Sequence, residues 1–242
     1  MDRAVYDRMA AIDAEHWWFR GRRRIIDALI RRRVKPDRPL RILEVGCGTG
    51  SNIPLLQRYG PVEAVEPDAE TRALAARRTG VAVRGGFLPD EVDLPDAAFD
   101  LIVLFDVLEH IPDDLGTLKA LRSKLAPGGS VLLTVPAMPW LWSAHDVAHH
   151  HRRRYTAAAL REQAERAGYR IDYLGHFNTI LLPLIIAARL VGRLTGRGGG
   201  DDAVPPPLIN RWLEHIFGAE AAFVGRLSLP AGVSLACVLR PA

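Results

Sequence analysis

The sequence predicts a doubly wound α/β fold carried by one main domain. Three observations point to it. Between residues 40 and 175, segments rich in branched apolar residues alternate with helical patterns, as in successive βαβ units on a parallel sheet. A Gly-rich turn, Gly46-Cys47-Gly48-Thr49-Gly50, directly follows the first apolar segment. Phe99 to Phe105 is a nearly continuous apolar run, expected of a strand covered on both faces. The 242 residues suffice for one such domain and are short for two.

Each element has its own signal. Residues 1–19 read as a short helix ending in Glu15-His16-Trp17-Trp18-Phe19. A longer helix over Gly21 to Arg33 puts Ile25, Ile26, Leu29 and Ile30 on one face, and Pro36 and Pro39 end it. Leu40 to Val45 is the first strand. The next helix starts near Asn52, with Ser51 or Asn52 as N-cap and Pro54 in its first turn. Val62 to Val65 is a strand, Asp68 to Arg78 a helix, Val81 to Val83 a strand and Phe99 to Phe105 another. Asp113 caps a helix to Leu125, stopped by Pro127-Gly128-Gly129. Ser130 to Val135 is a strand, 156–167 a helix closed by Gly168, and Tyr169 to Gly175 a strand. In the last strand, 231–239, Val233, Leu235, Cys237 and Leu239 alternate. Residues 136–155 and 178–229 break the alternation and read as decorations on the substrate side. The division is then a helical arm (1–36), a core (37–177), a helical insertion (178–229) with a Gly/Pro-rich linker (196–207), and a final core strand (230–242).

Composition narrows the function classes. Hydrophobic residues at 48% and charged residues at 25% are ordinary for a globular protein. Two cysteines make no disulfide framework and no secretory signal opens the chain, so a reducing, cytoplasmic setting is expected. The net charge of +4 comes largely from runs at Arg22–Arg24, Arg31–Arg33 and Arg152–Arg154. Such runs read first as solvated helix faces, and second as contacts to an acidic group. No nucleic-acid-binding module is recognisable. The most apolar run, Ile180 to Ala188, is about half of the ~20 residues that a spanning helix needs.

The chemistry begins at the turn after the first strand. Glycines at 46, 48 and 50 let the backbone bend tightly and lie against a ligand. Free N–H groups at the following helix start, Asn52 among them, attract a carboxylate. Glu44, just before the turn, can face an ammonium. A ligand with both groups has an amino-acid end. Glu66, closing the second strand, suits the two hydroxyls of a ribose. Position 51 is Ser where a dinucleotide fingerprint has its third glycine.

Glu-Val-Gly-Cys-Gly-Thr-Gly, Val-Glu-Pro-Asp (65–68), Phe-Asp-Leu-Ile-Val (99–103), Asp-Val-Leu-Glu-His (106–110) and Leu-Ala-Pro-Gly-Gly (125–129) resemble, in order and spacing, the motifs of class I S-adenosylmethionine (SAM)-dependent methyltransferases. The resemblance implies a Rossmann-like seven-stranded sheet with its last strand antiparallel and beside strand six. It implies SAM as cofactor, with S-adenosylhomocysteine as product. Glu44, Gly46, Cys47, Gly48, Gly50 and Asn52 would hold the methionine part, Glu66 the ribose, and Pro67 or Asp68 the adenine edge. Many members carry an Asp near position 86 for the adenine amino group. Here Gly86 stands there, so backbone at Phe87 or Leu88 would replace it. Phe105 and Asp106 would border the sulfonium.

Methyl transfer needs alignment, and a hydroxyl acceptor also needs a base or a metal. Asp106, Glu109 and His110 follow strand four at the ligand-binding end of the sheet. Downstream, His145 and His149 share a face if helical, with Asp146 between them. His145, then His149 or Asp146, are the expected bases, and His150 and His151 are expected in solvent. Asp-x-x-Glu-His with a later His is similar to ubiquinone-pathway O-methyltransferases and small-RNA terminal 2′-O-methyltransferases, which implies a divalent metal at Asp106, Glu109, His110 and His145, although position 106 is Asp where those families have Glu. A metal-free base and pure positioning remain open beside it. The expected acceptor is a small-molecule, lipid-linked or glycan-like compound methylated at oxygen. An N-methyltransferase and a non-catalytic scaffold are the alternatives.

Three segments carry two readings or more. Trp18 or Phe19, with Tyr6, either covers the site or staples the first helix. Arg152–Arg154 either clamps an acidic group or is solvated. Residues 176–195, with Arg189, Arg193 and Arg197 at four-residue intervals, form a lid, a homodimer contact or a membrane-surface contact. Monomer and homodimer both stay open.

Overall fold

The computed structural model describes residues 3–195 and 203–242. Its strands are β1 (Ile42–Val45), β2 (Val62–Val65), β3 (Val83–Arg84), β4 (Phe99–Phe105), β5 (Leu125–Pro136), β6 (Tyr169–Phe177) and β7 (Ser234–Pro241). They form one seven-stranded sheet in the order β3-β2-β1-β4-β5-β7-β6. The pairings from β3 to β5 are parallel, while β7 runs antiparallel to both β5 and β6. The last strand is therefore beside β6, as expected, and fills the gap between β5 and β6.

The helices are α1 (Arg3–Ile12), α2 (Trp17–Leu29), α3 (Ile53–Leu56), α4 (Ala69–Thr79), α5 (Asp114–Lys124), α6 (Ala144–Ala148), α7 (Ala157–Arg166), α8 (Leu182–Thr195) and α9 (Pro207–Ala219). On one face of the sheet, Leu118, Leu121, Leu160 and Ala164 of α5 and α7 pack against Leu104, Leu133 and Cys237. On the other, Ile25, Ile26 and Leu29 of α2 and Phe217 of α9 pack against Leu101, Val103 and Val238. A smaller cluster of Cys47, Ile53, Ala64, Ala75 and Val81 supports the Gly-rich turn. Burial of both sheet faces explains why β4 reads as a nearly unbroken apolar run.

Several boundaries move from their sequence positions for physical reasons. The N-terminal arm breaks at 13–16, not at 20. His16 caps α2, its ring accepting from the Trp18 N–H at 3.2 Å, so Trp17-Trp18-Phe19 open the second helix. A π-helical turn, Ile30–Val34, prolongs α2 and stops at Lys35, which has φ +56°. The strand expected at Val81 starts at Val83, because Val81 turns into the small cluster instead of joining the ladder. β5 starts at Leu125, already paired with Phe99, so Pro127-Gly128-Gly129 lies within the strand at an irregular register. β7 begins at Ser234, three residues after the expected start. Of the predicted linker, 196–202 lies outside the described residues, as does Arg197. The rest runs without regular structure to Pro207, which opens α9.

Candidate functional site

The carboxyl ends of β1, β2 and β4 converge on one cavity of about 990 Å³. The backbone between β1 and α3 forms its floor. Gly46 has φ +66°, and a Cβ there would sit 2.7 Å from a Val107 methyl, so the turn closes tightly against the segment after β4. Gly48, at φ +54°, has open space where a Cβ would point, which leaves bare backbone facing the cavity. The Glu66 carboxylate accepts from the Gly48 N–H at 2.9 Å, the Asp68 N–H at 3.1 Å and the Tyr6 hydroxyl at 3.4 Å. Burial lifts the Glu66 carboxyl above its usual range against those three bonds.

Glu44 lies one layer behind the wall. Asn52 is on the wall and donates its amide to Glu44 at 3.1 Å instead of capping α3. The other Glu44 oxygen is buried and meets no donor among the described residues. Burial pushes this carboxyl up to about 8, against the Asn52 bond and the charge of Arg22. α3 has only four residues, so the tight backbone of the turn, more than a helix end, offers the N–H groups.

The N-terminal arm covers the cavity. Tyr6 and Met9 of α1 and Trp18 and Phe19 of α2 line it. Asp13, after α1, accepts from Thr49 Oγ1 at 3.1 Å and from both terminal nitrogens of Arg78 at 2.9 Å. This ties the arm to the Gly-rich turn. Arg22 is buried rather than solvated. It pairs with Asp106, and its guanidinium lies 4.4 Å over the Trp18 ring. Asp106 itself sits at φ +56°, a strained position that directs its side chain across the cavity.

Four imidazoles gather opposite the turn. His145 and His149 share a face at the C-terminal end of α6, with ring centroids 4.1 Å apart. His151 lies 4.9 Å from His110 and 5.9 Å from His149. The expectation of a solvated His151 is corrected: its side chain is 8% exposed, because Asp146 holds its Nδ1 at 2.9 Å. Its Nε2 lies 3.9 Å from Glu109. His150 is exposed, as expected. Asp146 is fully buried and off the cavity wall. Burial would raise its carboxyl, but bonds from His151 and Arg154 outweigh that and hold it well below the usual range. Burial and the neighbouring His151 push His110 down to about 3. Glu109 is fully buried, with neither oxygen meeting a donor among the described residues. Burial first, and then Asp106, drive its carboxyl well up. Donor atoms of Glu109, His110 and His151 lie within 4.8 Å of one another, a set that could hold a metal ion.

The cavity thus gathers Gly46, Cys47, Gly48, Asn52, Glu66, Pro67, Phe87, Leu88, Phe105, Asp106, Trp18, Glu109, His110, His145 and His149 on one wall system. Glu44, Gly50, Asp68 and Asp146 stand off it. Asp68 caps α4, accepting from the Thr71 N–H at 2.8 Å. The Phe87 N–H already donates to Glu91 at 3.1 Å. Arg154 is spent on Asp146 and on the Ala137 carbonyl, and Arg153 on Asp114 and the Pro112 carbonyl. Sequence reasoning missed Arg22, Asp13 and His151. Arg22 and His151 sit in runs of identical residues, and such a run carries no sign of which member turns inward.

A methyltransferase-domain family matches residues 17–174. A probable S-adenosylmethionine-dependent methyltransferase of Mycolicibacterium smegmatis is 33% identical over 169 residues, 68% of this chain and 64% of that protein. A ubiquinone biosynthesis O-methyltransferase of Paramagnetospirillum magneticum is 33% identical over 101 residues, 40% of each. The matches thus span 40% to 64% of these relatives' own length. Among solved structures, one of a complex between the Haloferax volcanii Trm112 methyltransferase activator and a methyltransferase shares the fold. Its TM-score is 0.64 at 18% identity, with 98% of this chain and 94% of that chain covered. With a methyltransferase-domain family matched across well over half of its length, on a sheet whose Gly-rich turn and Glu66 meet at one cavity, this chain belongs to the class I S-adenosylmethionine-dependent methyltransferases.

Proposed function

We propose that the chain transfers a methyl group from SAM to a hydroxyl of a small amphiphilic acceptor, lipid-linked or glycan-like. One observation carries this reading: a single cavity joins the Gly-rich turn and Glu66 at one end to the imidazole cluster at the other, past Asp106. About 990 Å³ is near the upper end of the range for ligand sites, which leaves room for cofactor and acceptor together.

The orphaned Glu44 oxygen and the bare backbone at Gly48 fit the amino-acid end of SAM. Bound SAM supplies a methyl group on a sulfonium, ready for in-line displacement. Glu66 accepts the ribose hydroxyls, and Pro67, Phe87 and Leu88 flank the adenine. Glu44 and Asn52 receive the ammonium, and Arg22 the carboxylate. Trp18 and Phe105 exclude water from the methyl. At the far end His145, His149 and His151 take up the proton that the acceptor hydroxyl loses. Asp146 works from behind, fixing the ring of His151. Neutral amines need no such base, and this weighs for oxygen over nitrogen.

The buried Glu109, whose carboxylate meets no hydrogen-bond donor among the described residues, favours a second form of the same reaction. Glu109, His110 and His151, with Asp106 beside them, fit a divalent cation, which would lower the acceptor hydroxyl's pKa.

Calorimetric titration of SAM tests the core of the reading. Micromolar binding should weaken by at least about tenfold in Glu66→Ala, since two charge-assisted hydrogen bonds are lost. Absence of SAM binding to folded protein would favour a non-catalytic scaffold. Activity that needs Mg²⁺ or Mn²⁺ and vanishes in Glu109→Gln would select the metal form, and indifference to EDTA the histidine form.

A further inference from the structure

We propose that α8 and the first turns of α9 form a docking face for an anionic bilayer surface, beside the mouth of the cavity. Leu181, just before α8, and Ile185 of α8 pack into the core cluster under the sheet. The opposite side of α8 presents Leu184 (59% exposed), Leu190 and Val191 to solvent. α9 does the same with Leu208 (67%), Ile209 and Trp212 (64%). Both helices pack into the same core cluster, α8 and the residues leading into α9 border the same cavity, and an exposed apolar face of this kind marks an interaction site.

Charge selects the occupant. Residues 179–195 contain no acidic residue, and Arg189 among them turns to the cavity, where it donates to the Leu141 carbonyl. On α9 the one acid, Glu214, is turned inward, where Arg20 holds it at 3.0 Å and Arg24 pairs with it too. The outward side of α9 is left with Arg211 and His215. Asp201 and Asp202 lie outside the described residues. Apolar side chains with no exposed acid on either helix, and with Arg211 and Trp212 side by side at their edge, match the interface of an anionic membrane. A symmetric dimer across this face would set cation against cation. At 14 residues α8 is about 21 Å long, against a hydrocarbon core of about 30 Å, so it lies in the interface plane.

Position gives the contact a purpose. Ile185 and Ala188 of α8, and Ala203 and Pro205 before α9, line the cavity. An amphiphilic acceptor can then slide from the bilayer into the site without crossing water. This last step rests on the function proposed above, but the membrane contact does not.

Flotation of the purified chain with vesicles tests it, using phosphatidylcholine alone or with about 30% phosphatidylglycerol. Binding to the anionic vesicles that falls with salt is expected. Leu184→Glu/Leu208→Glu/Trp212→Glu should weaken it by at least about tenfold, with SAM binding unchanged as evidence of folding. Arg211→Glu alone should weaken binding to anionic vesicles selectively. No binding to anionic vesicles, or equal binding by the triple variant, would overturn the proposal. So would a wild-type dimer that the triple variant dissociates, which would make this face an interface between copies. Lost SAM binding with retained vesicle binding would instead sink only the methyltransferase activity.

Discussion

Glu44 and Asp146 are both buried carboxylates, and their surroundings drive them in opposite directions. Glu44 has one amide donor and burial wins, up to about 8. Asp146 has an arginine, an imidazole and the Ser143 N–H, and the bonds win. Each difference has a measurable consequence. Because the folded-state pKa of Glu44 is raised, its favourable contribution is present at acid pH and is lost as pH rises through about 8. Relative to Glu44→Gln, the wild type should therefore lose on the order of 1–3 kcal/mol between mildly acidic pH and pH 8, followed by urea unfolding across that range. Parallel profiles would contradict this. Asp146→Asn leaves Arg154, whose side chain is 2% exposed, without its counter-charge. It should cost about 3–5 kcal/mol of unfolding free energy.

At the scale of elements, the arm and the Gly-rich turn are one mechanical unit, because Asp13 holds both Thr49 and Arg78. Asp13→Ala should free α1 while leaving the sheet intact. Expected are faster amide exchange over residues 3–12 and SAM affinity lower by about tenfold, as one charge-assisted contact network is removed. Unchanged exchange would show that α1 is held by its apolar side alone. The strand, turn and Glu66 were readable from sequence because their signals are local: a branched apolar run, glycines where φ must be positive, and an acid at a strand end. The arm's break at 13–16 was not, because much of what fixes it comes from far downstream: Thr49 and Arg78 hold Asp13, and Asn210 bonds the Trp17 N–H and the Glu15 carbonyl. Arg22 meets Asp106 across 84 positions, and no local pattern shows that meeting. The metal-compatible set drew His151 in place of His145 for the same reason, since Asp146 and Glu109 choose which imidazole is buried.

For the whole molecule, ligand binding and stability are linked. The proposed SAM site joins α1, α2, β1, β2 and β4, so bound SAM resists global unfolding. At about 100 times its dissociation constant, SAM should add about 2.7 kcal/mol and raise the melting temperature by several degrees. In Glu66→Ala, for which the same SAM concentration is only about ten times the dissociation constant, the added stability should fall to about 1.4 kcal/mol and the shift in a thermal scan to about half.

The order of strands carries a consequence for how the chain is made. β7 follows every other strand in sequence, yet its place is between β5 and β6. On the ribosome, β5 and β6 emerge first, each with an open edge, and β6 has no other neighbour to join. The two run parallel to one another, since β7 opposes both. A nascent chain can therefore pair β5 directly with β6 and close a six-stranded sheet that shuts β7 out. Until the residues up to Pro241 appear, open edges of this kind invite chaperones or aggregation. Correct assembly then depends on β6 staying loose long enough for the last strand to slip in.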